Sequence, residues 1–218
     1  MTKFYRFFHT ILKGFIKLFF NIRIVGKENR PKKGEGPYII CANHIAALDP
    51  VAIAVSLNHT QPHYLAKEEL FKNGIARWFF YNIGMIPLNR GGSDVGALKT
   101  AIKALKDGKS IGIFPQGTRH PGKEPRDTKA KMGVGMIQSY AEADILPIYI
   151  RTKDNVSKTF RRKTIIIGKP ILASEIGKQG RGSAEYERVS NFIFDKICLL
   201  GEDYERALEA DKKAKSKK

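Results

Sequence analysis

Residues 38–57, YIICANHIAALDPVAIAVSL, change backbone period in the middle. Tyr38-Ile39-Ile40-Cys41-Ala42 is a short apolar run behind Gly34-Glu35-Gly36-Pro37, the pattern of a buried strand. After it, Pro50-Val51-Ala52-Ile53-Ala54-Val55-Ser56-Leu57 reads as a helix, with Asp49 suited to the N-cap and Pro50 to the first helical position. His44 therefore falls on the strand-to-helix turn and Asp49 at the helix head. Inside one helix a spacing of five would put them on different faces, because only spacings of three or four bring side chains together. Across a compact turn the imidazole can fold back onto the carboxylate, so the stretch predicts a strand-turn-helix unit and a candidate His-Asp dyad.

The alternation continues outward. The pattern predicts a strand at 63–67, a helix at 68–82 carrying Leu70, Phe71, Ile75, Trp78 and Phe79, and a strand at 85–90 ended by Gly91-Gly92, with Ser93 capping a helix to about Lys106. Further strands are expected at 110–114, 145–150 and 164–167, with a polar loop at 117–128 and a helix ending near Ala143. A helical stretch from Ser183 spaces Val189, Ile193, Ile197, Leu200 and Tyr204 on one face. Strand followed by helix, repeated, implies an α/β fold: a mostly parallel or mixed sheet flanked by helices. In such sheets the loops leaving the strand ends build the site, and His44, Lys67, Arg90 and Arg119 each follow or end a predicted strand.

Length and charge bound the partners. The 218 residues allow one substantial core, and 39 Lys plus Arg against 21 Asp plus Glu give a net charge of +18. A surface this basic seeks nucleic acid, an anionic lipid surface or an acidic carrier protein. Cys41 and Cys198, the only cysteines, suggest no disulfide framework; they read as small buried hydrophobes in a reducing, cytosolic setting.

At the N-terminus, Lys3, Arg6, His9 or Thr10, Lys13 and Lys17 recur at helical intervals, while six phenylalanines between Phe4 and Phe20 cover the rest. This predicts an amphipathic helix lying in a membrane interface, against the alternative of a helix packed on its own domain. Arg6, Lys13 and Lys17 interrupt the ~20 apolar residues that a spanning helix needs, and no small-residue cleavage site follows. The expected organisation is a membrane-associating helical segment at 1–25, a main domain at 26–205 and a basic, frayed tail at 206–218.

Four blocks stand in order along the chain: Asn43-His44-Ile45-Ala46-Ala47-Leu48-Asp49, Gly84-Met85-Ile86-Pro87-Leu88-Asn89-Arg90, Phe114-Pro115-Gln116-Gly117-Thr118-Arg119 and Ile145-Leu146-Pro147-Ile148-Tyr149-Ile150. With Ala66-Lys67-Glu68-Glu69-Leu70 between the first two, the chain resembles the glycerolipid acyltransferase family, the lysophosphatidate acyltransferases of phospholipid synthesis. The resemblance covers about half of the chain. It implies the glycerolipid acyltransferase fold, a catalytic His44–Asp49 pair, and binding of the acceptor through Lys67, Arg90, Gln116, Gly117, Thr118 and Arg119. The family pattern carries a glutamate where Gln116 stands. A glutamine keeps an acceptor for a glycerol hydroxyl but cannot do acid–base work.

The chemistry also follows from the residues. Acyl transfer from a thioester to an alcohol needs a base for the hydroxyl, and an imidazole, whose ordinary pKa lies near neutrality, suits the task. Asp49 would fix its tautomer and stabilise the imidazolium that forms. Arg119 and Lys67, with Arg90 beside them, offer cations for a phosphate. Asn43 is expected to hold the turn or the histidine, or to be an ordinary turn residue.

Other features carry less. There is no G-x-S-x-G turn, and Cys41 as an acyl carrier is disfavoured by its apolar run. Gly91-Gly92-Ser93 offers an anion nest weakened by Asp94, and Gly133-Val134-Gly135 is too short for a dinucleotide fingerprint. Pro62 separates His59 from His63, so no metal is expected, and no cofactor beyond a co-substrate, acyl carrier protein or coenzyme A thioester. His9 and His120 read as surface residues. Arg151, Lys153, Lys158, Arg161, Arg162 and Lys163 form a basic patch, either a dock for an acidic carrier or anionic headgroups or a solvated loop.

The expectation is thus a peripheral enzyme on the cytoplasmic face of the cell membrane that acylates lysophosphatidate to phosphatidate, with no nucleic-acid partner. The alternatives are acylation of glycerol 3-phosphate or another lysolipid, and a non-catalytic basic module that binds membrane or nucleic acid.

Overall fold

The computed structural model describes residues 2–19, 21–88, 94–158, 160–177, 179–180 and 182–216, with the side chains at 15, 17–19, 67, 88 and 94 left aside. In chain order the elements are α1 (Lys3–Phe19), β1 (Ile22–Val25), β2 (Tyr38–Ala42), α2 (Asp49–Ser56), β3 (Tyr64–Lys67), α3 (Gly74–Asn82), β4 (Met85–Leu88), α4 (Asp94–Lys106), β5 (Ile111–Ile113), α5 (Gly133–Ala141), β6 (Asp144–Arg151), β7 (Lys163–Ile167), α6 (Ala173–Ile176) and α7 (Ser183–Ser216). Ser93 and Gly91-Gly92, the expected cap and strand end before α4, lie outside the described residues.

The apolar run at 38–42 becomes the sheet's second strand from one edge. Five strands pair in the order β1-β7-β6-β2-β5. All neighbours are parallel except β6 and β7, so the sheet is mixed. β3 and β4 form a parallel pair that attaches beside β5, where His63 N donates to Ser110 O at 2.9 Å and Gly112 N donates to His63 O at 2.8 Å.

Continuous apolar runs are what strands covered on both faces require. Side chains alternate across β2: Ile39 and Cys41 join the cluster that includes Val134, Ile137, Ile193 and Ile197 from α5 and α7. Tyr38, Ile40 and Ala42 face the other way and pack with Ile53 and Leu57 beside α2. On the first side α5 and α7 cross at Gly135, where a Cβ would stand 2.0 Å from Tyr186 O, so glycine alone permits this approach.

Three of the expected elements need correction. The helix expected at 68–82 breaks into a 3₁₀ turn, Glu68–Phe71, and α3, because Asn73 caps a new start and accepts from Ile75 N at 2.9 Å. Residues 22–25, assigned by pattern to the N-terminal helical segment, form β1 on the edge of the main sheet. Ile22, Ile24 and Val25 are β-branched, and Ile22 and Ile24 flank exposed Arg23 with the two-residue period of a strand. The lysine-rich tail continues α7 to Ser216, since its Ala, Lys and Glu residues favour helix and Lys215 pairs with Asp211 one turn back.

The N-terminal helix is docked on the domain through one face. Tyr5, His9 and Ile16 are buried, Phe4 meets Trp78 edge-on at 4.9 Å, and Phe8 meets Phe79 at 5.2 Å. His9, expected at the surface, instead donates from Nε2 to Ala54 O at 3.1 Å, joining Leu57 N as a second donor to that carbonyl at the end of α2. Burial lowers its pKa below the ordinary imidazole value. Lys13 also turns inward, to Asn58 Oδ1 at 3.1 Å, so the stripe of Lys3, Arg6, His9 and Lys13 is divided between two faces. The outer face keeps Lys3, Arg6 and Thr10 together with exposed Phe7 and Ile11. Among the described residues no helix is long and apolar enough to cross a membrane.

Candidate active site

The sheet brings the ends of β2, β5 and β6 to one edge, and because β7 runs antiparallel to β6, its first residue arrives at that same edge. His44 lies two residues beyond β2, Gln116 three beyond β5, and Lys163 opens β7.

Asp49 closes the loop that carries His44. It sits in the first turn of α2 behind Leu48, and its carboxylate turns back on the loop instead of capping the helix. Oδ2 accepts from His44 Nδ1 at 3.0 Å and from Ile45 N and Ala46 N, both at 2.7 Å. Oδ1 accepts from Lys163 Nζ at 2.8 Å. The carboxylate is fully buried; burial alone would raise its pKa, but the His44 hydrogen bond, the Lys163 charge and the backbone donor prevail and hold it below its ordinary value. An ionised Asp49 only accepts, so Nδ1 carries a proton, and in the neutral imidazole it is Nε2 that presents the lone pair.

The other side of the imidazole is packed. Phe114 stacks on it with ring centroids 3.9 Å apart and planes 14° from parallel, and Tyr64 continues the stack at 6.1 Å from Phe114. His44 N donates to Gln116 Oε1 at 2.7 Å, while His120 N donates to His44 O at 2.9 Å. Both sides of the loop are thus held by the loop after β5.

Gln116 departs from its expected role in acceptor binding. It is 3% exposed, and both ends of its amide are engaged within the protein: Oε1 with His44 N, and Nε2 with Thr128 Oγ1 at 2.7 Å. It braces the His44 loop. Asn43 likewise holds neither the turn nor the imidazole: its side chain clasps Ile150, donating to the carbonyl at 2.9 Å and accepting from the amide at 2.7 Å, and so extends the β2–β6 pairing by one rung.

Gly117, Thr118 and Arg119 are exposed on the loop that leads back to His44. Gly117 has φ +71°, and its missing Cβ leaves room for the Lys131 stem, whose Cδ would lie 2.7 Å from that atom. Lys131 therefore adds a cation to this turn. Lys67 ends β3 opposite Leu88, described by its backbone alone, and Arg90 lies outside the described residues.

The expected basic patch also divides. Arg151 pairs with Glu205 on α7, Lys163 is buried on Asp49, and Lys153, Lys158, Arg161 and Arg162 remain exposed. Cys41 is fully buried, and burial pushes its thiol well above the usual range, so it cannot supply a thiolate beside His44. Among the described residues no cluster of three or more His, Cys, Asp or Glu side chains is assembled that could hold a metal ion.

Sequence reasoning missed Lys163, Phe114 and Lys131 as members of this neighbourhood. Phe114 opens a recognised block and could have been found there. Lys163 lies 114 residues from Asp49, and its only local signal is that it abuts an apolar run without an intervening turn residue.

The sequence profile of a family described as Acyltransferase matches residues 21–151. The chain is 30% identical over 169 residues to the 1-acyl-sn-glycerol-3-phosphate acyltransferase of Bacillus subtilis (strain 168), covering 77% of this chain and 82% of that protein. It is 29% identical over 206 residues to the protein of the same name from Streptococcus pneumoniae, covering 91% and 75%. Its fold is similar to that of a crystal structure of the 1-acyl-sn-glycerophosphate (LPA) acyltransferase PlsC from Thermotoga maritima, with a TM-score of 0.66 over 92% of this chain and 78% of that one at 22% identity.

Proposed function

Because this chain belongs to the acyltransferase family, we propose that it moves a fatty acyl group from an acyl thioester to the free hydroxyl of lysophosphatidate, giving phosphatidate. The observation that carries the reading is the imidazole of His44, held by Asp49 through Nδ1, so that Nε2, with no hydrogen-bond partner among the described residues, is placed to act as a base. In this mechanism Nε2 takes the proton of the acceptor hydroxyl as its oxygen attacks the thioester carbonyl. The tetrahedral intermediate collapses, the carbon–sulfur bond breaks, and the imidazolium returns its proton to the departing thiolate. Asp49 stabilises the imidazolium in between. No protein nucleophile and no cofactor is needed.

Arg119 and Lys67, with Arg90, are assigned to the acceptor phosphate, and the exposed Gly117-Thr118 backbone lies next to Arg119. The donor is an acyl carrier protein or coenzyme A thioester; exposed Lys153, Lys158, Arg161 and Arg162 offer charge complementarity to either. The protein works peripherally at the cytoplasmic face of the membrane, with Phe7 and Ile11 of α1 and Ile75 and Trp78 of α3 as apolar contacts beside Lys3 and Arg6. Membership in an enzyme family speaks against the non-catalytic basic module. Glycerol 3-phosphate and other lysolipids remain as competing acceptors.

The test is release of free thiol when the purified protein meets lysophosphatidate micelles and an acyl thioester, comparing acyl carrier protein with coenzyme A and wild type with His44→Ala. Turnover that requires lysophosphatidate and His44 supports the reading. Turnover only with glycerol 3-phosphate, or turnover undiminished in His44→Ala, overturns it.

A further inference from the structure

The ammonium of Lys163 lies inside the protein against the outer oxygen of the carboxylate that orients His44. Nζ donates to Asp49 Oδ1 at 2.8 Å, and the two side chains are 7% and 0% exposed. The preceding Arg161 and Arg162 are exposed, so the basic run turns inward at its last member. A lysine enters an interior only when its charge is matched, and here the match is the one carboxylate that holds the imidazole.

We propose that Lys163 is a positioning residue of the active site, acting through Asp49: it fixes the carboxylate so that Oδ2 faces His44 Nδ1, and it balances the carboxylate's buried charge beside the imidazole. The proposal deepens the acyl-transfer reading and depends on it for its catalytic meaning. Oδ2 already serves three donors, and the bond from Lys163 to Oδ1 fixes the remaining rotation of the carboxylate plane. An unbalanced buried carboxylate beside an imidazole favours the imidazolium at rest, and a base that already holds its proton cannot take one from the acceptor. With the ammonium present, the resting site is balanced and the carboxylate still faces the imidazolium as it forms.

The groups in and around the pair come from several elements. His44 is on the loop after β2, Asp49 on α2, Lys163 on β7, and Tyr64 on β3 lies close enough to feel Asp49. Burial holds the Tyr64 phenol well above its ordinary range, so it stays neutral, as does Tyr5 of α1, which couples to it. Arg119 and His120, on the loop after β5, are exposed and half-buried.

The experiment is an NMR pH titration of the His44 imidazole, assigned with His44→Ala among the five histidines, together with the pH profile of kcat/KM in the thiol-release assay. The proteins are wild type, Lys163→Met, Lys163→Gln and Lys163→Arg. In Lys163→Met the proton-binding midpoint of the His44–Asp49 pair should rise by about one pH unit, and the acid limb of the profile should move up with it. Lys163→Gln, which keeps a donor without the charge, should show the same rise and supplies the reading if the methionine variant does not fold. Lys163→Arg should return both towards wild type. A midpoint and limb that stay in place while kcat falls at every pH would make Lys163 merely structural and overturn the proposal. A wild type that titrates as described, with variants that shift, but transfers no acyl group would refute the reaction and leave the coupling standing.

Discussion

Replacing Asp49 by Asn tests the site at its most buried point. Ile45 N and Ala46 N both donate to the position of Oδ2, so an asparagine must place its oxygen there and aim its amide donor at the Lys163 ammonium 2.8 Å from Oδ1. Donor then faces donor, and the ammonium is left buried without a counter-charge. Breaking one side of a buried ion pair costs about 3–5 kcal/mol. In a chain of this length that lowers Tm by roughly 6–20 °C. His44→Ala should lose about 10²–10⁴-fold of turnover, the usual range for a general base. Its stability should fall less, by about 1–2 kcal/mol, because Asp49 keeps Lys163 and two backbone donors while a stacked ring on Phe114 is lost. Urea unfolding of both variants at pH 7 separates the effects. The sign with pH also follows: Asp49 titrates below its ordinary 3.8 in the folded protein, so its stabilisation is full above that value and is lost as pH falls through the folded pKa. The gap between wild type and Asp49→Asn should therefore close in acid. An Asp49→Asn protein within 1 kcal/mol of wild type at pH 7, or a gap that does not change with pH, would refute the buried-pair argument.

Other consequences are separable. Gln116→Glu should destabilise by about 1–3 kcal/mol at neutral pH, since Thr128 Oγ1 now donates to Pro125 O and cannot also serve a carboxylate; thermal unfolding at pH 4 and 7 reads the difference. Cys41→Ala should retain acyl transfer within a few-fold in the thiol-release assay, and native Cys41 should resist alkylation, whereas an acyl-cysteine mechanism requires the opposite. Gly135→Ala should cost about 2 kcal/mol or more in urea unfolding, because its Cβ would press on Tyr186 O; Gly14→Ala, with open space around it, should stabilise α1 by up to about 1 kcal/mol. Asn43→Ala should cost about 2 kcal/mol or more by orphaning the buried Ile150 amide and carbonyl, again read by urea unfolding.

Local pattern was enough for much of this protein. The apolar runs of β2, β6 and β7 need no partner to be recognised, because strands covered on both faces must be apolar throughout. The His44–Asp49 contact was legible for a similar reason: strand end, turn and helix start lie within a dozen residues, and a short loop leaves the imidazole few places to go. What the pattern could not reveal is what each inward-facing group meets. Gln116 is read as reaching substrate until the loop after β5 folds under His44, and His9 as solvated until α2 presents the Ala54 carbonyl. Lys163 is the clearest instance. Its sequence neighbours mark it as one more surface cation, and only the reversal of β7 against β6 delivers it to Asp49. Periods of 2 and 3.6 residues report whether a side chain points inward; partners separated by 114 residues are chosen by how the strands are ordered and directed, and no local period encodes that.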